Sequence, residues 1–253
     1  MKKTMFLILM LILTFCCTAC FSPSEFVFVA NEDETGYILK KYNDTSSDAK
    51  ADVVIPDMYE GLPVVEIGTG AFVGNRDLVS VVIPESISVI GANAFANCDN
   101  LSSVSFPSNL SVIKESAFDG CIGLAEISIL QAVDVGRGAF ENCAFLQIVS
   151  IGTDDDESQY SVGYAAFEEC VNLETVVLGS GCILIEELAF SDCVGLINVY
   201  LPNSLRDIET CAFEDCQSLS NIYFDGTTEE WLNIHKAPWW DKDTGHYEDH
   251  MAK

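Results

Sequence analysis

Hydrophobic positions along this chain follow two nested periods. Between residues 63 and 225, short stretches alternate apolar and variable residues, as in Val104-Ser105-Phe106, Ile127-Ser128-Ile129 and Val149-Ser150-Ile151. A period of two marks a strand that buries one face. Over the same region the dipeptide Ala-Phe recurs, with Phe at 72, 95, 118, 140, 167, 190 and 213. The spacings are 23, 23, 22, 27, 23 and 23 residues.

The neighbours of each Phe repeat too. Five residues before it stand Ile67, Ile90, Ile113, Val135, Val162, Ile185 and Ile208. Three after it stand Asn75 and then Cys98, Cys121, Cys143, Cys170, Cys193 and Cys216. Leu follows at the sixth position, Val or Ile at the ninth, and Ile, Leu or Phe at the eleventh. The unit therefore reads I-x-x-x-A-F-x-x-C-x-x-L-x-x-V-x-I. The V-x-I part predicts a strand, and the Ala-Phe-x-x-Cys part a turn or a single helical turn. One unit is one coil and cannot bury its apolar face alone, whereas stacked coils bury a continuous core. The predicted fold is a β-rich repeat solenoid whose coils of about 23 residues stack a parallel β-sheet along one face.

Both ends of such a stack need covers. Phe26-Val27-Phe28-Val29 and Tyr37-Ile38-Leu39 flank a polar turn at 31–36 and read as a hairpin cap. Trp231, Leu232, Ile234, Trp239 and Trp240 are the expected apolar residues of the C-terminal cap. The spacing of 27 residues contains Asp154-Asp155-Asp156-Glu157, read as a solvated loop that bulges from the stack.

The unit, with Val65-Glu66-Ile67-Gly68, Ala71-Phe72, Ile83-Pro84, Ile90-Gly91, Ala94-Phe95-Ala96-Asn97-Cys98 and Phe106-Pro107, resembles the BspA-type leucine-rich repeat of bacterial surface proteins. The resemblance covers roughly residues 52–231. Val53-Val54-Ile55-Pro56 with Gly61-Leu62-Pro63-Val64 looks like that family's opening segment, and the stretch from Gly226 to Trp231 like its usual exit. Asn75 departs from the pattern by replacing the first Cys, and Gly152 and Gly179 by replacing Pro. The resulting division is 1–19 signal peptide, 20–62 tether and hairpin cap, 63–225 seven leucine-rich repeats, and 226–253 C-terminal cap and tail.

The N-terminus adds a compartment. Lys2 and Lys3 precede an apolar run from Met5 to Ala19, shorter than the roughly 20 apolar residues of a membrane span. This is the layout of a secretory signal peptide. Thr18-Ala19-Cys20 resembles a bacterial lipobox with Cys20 as the lipidated residue, although Cys17 stands where Leu is usual. Cleavage after Ala19 without lipid, or an uncleaved anchor, are the other routes. The chain carries 12 Lys plus Arg and 39 Asp plus Glu. Removing residues 1–19 takes away Lys2 and Lys3 and no acid, so the net charge moves from −27 to −29. Such a surface repels nucleic acid and anionic lipid, and neither is an expected partner.

Candidate chemistry is sparse. The column cysteines come one per coil and point the same way, so they read as small buried thiols rather than as zinc ligands or disulfides. Cys182 falls where other coils have Ile87, Leu110 and Leu205 and reads as core, while Cys211 is expected to be partly exposed. His246 and His250 with Glu248 and Asp249 have metal-like spacing, read here as a solvated tail. No nucleophile elbow, zinc-protease motif or phosphate loop is present, so no enzyme, cofactor or metal is expected. Positions eight and ten after each Phe should face outward. On the last three coils these are Thr175 and Val177, Asn198 and Tyr200, and Asn221 and Tyr223, the expected ligand-binding patch. Glu141, Glu168, Glu169, Asp192, Glu214 and Asp215 form an acidic ridge beside the Ala-Phe turns.

The resemblance implies an extracellular protein-binding module of the adhesin type. It would be lipid-anchored at a bacterial cell surface and bind a protein of host matrix or a neighbouring cell. A structural lipoprotein of the producer's own envelope is the alternative.

Overall fold

A computed structural model of the chain describes residues 25–43, 51–152 and 158–237, together with the backbone of 239–241 and 246–248. The chain winds as a parallel β-solenoid. Its V-x-I strands form one side in two pieces: Ala51–Val54, Leu78–Val82 and Ser103–Ser105, then Glu126–Ile129, Ile148–Ile151, Thr175–Leu178, Asn198–Pro202 and Asn221–Asp225. Neighbours align without slippage along the second piece, so Glu126, Ile148, Thr175, Asn198 and Asn221 occupy one column.

The other side is also a sheet, where the sequence predicted only a return. It runs from the hairpin strands Phe26–Ala30 and Tyr37–Tyr42 through Leu62–Ile67 and the Ile-column strands to His235–Lys236. Several of its strands, such as Val89–Ile90 and Val112–Ile113, are two residues long. A two-residue strand leaves no visible alternation in the sequence, which is why the second sheet was illegible there.

The interior is a set of columns. The seven Phe rings are buried and stack on one another, with successive centroids 4.8, 5.0, 5.0, 5.1, 5.2 and 5.3 Å apart and planes within 13°. Each Phe N–H donates to the Ala carbonyl of the following coil at 2.7–2.8 Å, from Phe72 to Ala94 through Phe190 to Ala212. The turn segment is therefore tied coil to coil as firmly as the strands are.

The thiols complete this segment. Each column Cys donates its S–H to the Phe carbonyl of the preceding coil at 3.0–3.3 Å, from Cys98 on Phe72 to Cys216 on Phe190. A buried acceptor is thereby used by a residue small enough for the bend and apolar enough for the core. In the first coil, preceded by Tyr42 of the hairpin in the Phe place, the position is held by Asn75. Its side-chain oxygen instead accepts from the backbone of Asp77 and Leu78 and shapes the local turn.

Two positions in every coil, two before and two after the Phe, adopt left-handed backbone. Gly70, Asn93, Ser116, Gly138, Ala165, Leu188 and Cys211 fill the first; Gly74, Asn97, Gly120, Asn142, Glu169, Asp192 and Asp215 fill the second. The early coils use Gly and Asn, which tolerate positive φ, while Leu188 and Glu169 carry its steric cost.

At Gly152 the departure from Pro has a local cause. Tyr160 is buried, and its hydroxyl donates towards the carbonyls of Ile151 at 2.9 Å and Gly179 at 3.2 Å. A side chain on Gly152 would come within 3.1 Å of that hydroxyl, and Gly152 sits at φ +79. Proline fits neither condition.

The hairpin covers the first coil: Tyr37–Tyr42 pairs with Leu62–Ile67, Leu39 is buried, and the Tyr42 ring stacks on Phe72 at 5.1 Å. At the other end a helix at Thr228–Asn233 is started by a capping box between Thr227 and Glu230. Trp231 packs against Phe224 at 5.4 Å, and Ile234 is buried. Leu232, expected in this cap, is instead 73% exposed, because residues 231 and 234 share one helix face and 232 lies off it. The side chains of Trp239 and Trp240 lie outside the described residues.

Phe140→Ala removes the central ring of the stack and should cost about 3–5 kcal/mol, read as a lower denaturant midpoint. Glu169→Gly relieves a left-handed position at an exposed site and should raise stability by about 0.5–1 kcal/mol in the same measurement.

Candidate functional site

The outward face of the V-x-I sheet is most distinctive over its last three strands. Thr175, Asn198 and Asn221 lie side by side in register, and so do Val177, Tyr200 and Tyr223. The Tyr200 and Tyr223 rings stack with centroids 4.5 Å apart and planes 13° from parallel. Asn221 donates from Nδ2 to Oδ1 of Asn198 at 2.9 Å. Tyr200 and Tyr223 are 40% and 48% exposed, and Thr175, Val177 and Asn198 are half-buried. All six predicted residues thus fall on one continuous face, held by the register that aligns the core. An amphipathic ring pair fixed by its neighbour offers contact area with little rotamer entropy left to lose.

Sequence reasoning left out part of this surface. Ile148, outward by the same spacing, pairs with Thr175 and is exposed, which extends the Thr175–Asn198–Asn221 column by one apolar residue. Three coils also carry exposed apolar groups just after the Cys position, Ile122, Val171 and Val194, and Phe145 is exposed two residues after Cys143. The first two coils and the last have Arg76, Asp99 and Gln217 at the equivalent place, a contrast that was legible in the sequence.

The acidic ridge lies on the turns beside the Phe column. Burial, and after it the neighbouring acids, push the carboxyls of Glu141 and Glu168 above their ordinary range. For Glu141 the repelling neighbours are Asp119 and Glu169; for Glu168 they are Glu141, Asp192 and Glu169. Burial also raises Asp119. Arg137 opposes the effect on both Glu141 and Glu168, while its guanidinium sits 4.6 Å over the Tyr164 ring.

Four of the thiols are held un-ionised by burial. Burial pushes Cys143 and Cys193 well up, and Cys182 and Cys216 up to about 12. Cys182 is core, as the spacing implied. Cys211, expected to be partly exposed, is buried at 8% exposure. Among the described residues the half-exposed thiol is Cys216, which stands at the end of its column. Among the described residues no group of three or more His, Cys, Asp or Glu side chains is placed to hold a metal ion. The run 154–157, the side chains of His246 and His250, and Cys20 lie outside the described residues.

Comparison with known proteins agrees with this geometry. The family model described as BspA type leucine rich repeat region matches residues 65–157 and 154–232, with six copies. The crystal structure of the leucine-rich repeat protein TpLRR from T. pallidum superimposes with a TM-score of 0.70 at 29% identity, covering 79% of this chain and 90% of that one. A leucine-rich repeat protein from Eubacterium ventriosum superimposes with a TM-score of 0.57 at 23% identity, covering 86% of this chain and half (50%) of that one. A search of curated proteins returned no match.

The raised carboxyls make stability depend on pH with a definite sign. A folded-state pKa above the unfolded value means that the folded chain binds more protons, so stability falls as pH rises through that window. The melting temperature should be higher near pH 5 than near pH 8. Glu141→Gln with Glu168→Gln should flatten that slope in melting curves taken across the range; an unchanged slope would refute the assignment.

Proposed function

The chain belongs to the BspA-type leucine-rich-repeat family, and on that premise we propose that it is a binding module of the bacterial cell surface. Leucine-rich repeats serve broadly as scaffolds for protein–protein contact. The observation that carries the reading is the exposed, rigidly stacked Tyr200–Tyr223 pair beside the Asn198–Asn221 pair. Thr175 and Val177 continue the face inward, and Ile148 lengthens it. The ligand is a protein of the host matrix or of a neighbouring cell. The reading places a cleaved leader at residues 1–19 and a lipid on Cys20, which would hold the stack at the outer face of a membrane. The columns bring structural groups together, stacked rings and hydrogen-bonded thiols, and the function they support is recognition rather than catalysis.

The full chain should bind one protein of an extracellular-matrix and plasma panel saturably. The double change Tyr200→Ala with Tyr223→Ala should weaken that binding at least about tenfold, the loss of one good anchor pair, while the melting curve stays cooperative. Binding that survives the double change would remove the patch. No binding across the panel would favour a role in assembling the producer's own envelope.

A further inference from the structure

Asn221–Asp225 is the last strand of the V-x-I sheet, and it pairs on one side with all five residues of Asn198–Pro202. On its other side no strand pairs with it among the described residues. The N–H of Asn221 is directed to the carbonyl of Ile197 in the preceding coil. Alternate residues of a parallel strand turn their backbone groups to opposite neighbours. Ile222 and Phe224 therefore present theirs to the open side. An edge of this kind is a template for one more strand.

The core beneath the edge is open to the same extent. Ile222, Phe224, Leu219 and Cys216 are half-exposed, whereas the equivalent Val199, Leu201, Leu196 and Cys193 of the preceding coil are buried. The helix at Thr228–Asn233 covers the Phe224 side through Trp231 and leaves the rest. Among the described residues the last coil has neither a further hydrogen-bonded strand nor a full apolar lid, and one extended segment would supply both. Its inward residues would cover Ile222 and Phe224. Its outward residues would meet the last rungs of the two ladders, Asn221 and Tyr223.

Charge narrows the occupant. Asp225, Glu229 and Glu230 are exposed at this end, on a chain of net charge −27. Lys236 is already engaged with the carbonyls of Trp231 and Ile234 and with the Trp231 ring. We infer that Asn221–Asp225 accepts an extended, basic segment of a protein ligand as an additional parallel strand, with apolar residues inward and Asn- and Tyr-like residues outward. This rests on the protein-binding reading and specifies how the ligand docks.

The test uses the full chain and a defined probe: the acetylated, amidated peptide Lys-Lys-Asn-Val-Tyr-Leu-Lys-Lys, which copies the strand from Asn198 to Leu201 between lysines. It should bind saturably and shift the amide resonances of Ile222 and Phe224. N-methylating one alternate set of its peptide nitrogens should weaken binding about tenfold or more, and the other set should not, since only one set faces the edge. Replacing the lysines with glutamates should also weaken it about tenfold or more. Because these changes are made in the peptide, folding of the protein is not at issue. Absence of binding, equal tolerance of both methylation patterns, or equal binding of the glutamate peptide would each overturn the inference. Self-association of the chain without peptide, with those two amides protected, would overturn it in favour of a second copy as occupant. Loss of binding to a panel protein on changing Tyr200 and Tyr223, in a chain that ignores the peptide, would leave the face reading intact and remove the edge alone.

Discussion

Every column in this molecule depends on a single distance, the separation between hydrogen-bonded strands. Parallel strands lie about 4.7–4.9 Å apart, and the Phe rings repeat at 4.8–5.3 Å. That spacing suits offset aromatic stacking as well as backbone pairing, so ring and ladder impose no conflict on one another. A residue of a different shape in the Phe position would break the contact above and below it at once. This is why the same side chain returns in all seven coils.

The cysteines follow from the same constraint. Once coils stack at strand spacing, the Phe carbonyl of each coil faces the next coil's Cys position, and a small donor that is also apolar satisfies it. At Cys143 and Cys193 burial keeps the thiol protonated, so both demands are met without a charged form. Eleven cysteines in a chain read as secreted would ordinarily suggest a disulfide framework. For the six column cysteines the geometry gives a packing role, and Asn75 at the start of the column shapes the local turn instead.

Register acts on the surface as it acts on the core. Whatever stands at an outward position is repeated one strand away, so acids accumulate into the mutually repelling Asp119, Glu141 and Glu168, and tyrosines into a rigid stacked pair. The two ends differ because their covers differ. The hairpin extends the return sheet and shields the first coil, while the C-terminal helix reaches only part of the last one and leaves Asn221–Asp225 as an edge.

The sequence by itself determined the solenoid, the inward columns, the hairpin at the start and the six outward residues from Thr175 to Tyr223, because each is written as a period in residue type. The burial of Cys182 was legible for the same reason. Only the tertiary structure decided the second sheet, whose two-residue strands are too short to show a period, and the left-handed pairs, whose Gly and Asn give way to Leu188 and Glu169 in later coils. It also decided that Cys211 is buried and Cys216 is not, that Leu232 faces away from the cap, and that Tyr160 displaces Pro at Gly152. These depend on what lies across a coil or beyond the last one, and local residue type carries no record of a neighbour 23 residues away unless the neighbour repeats it.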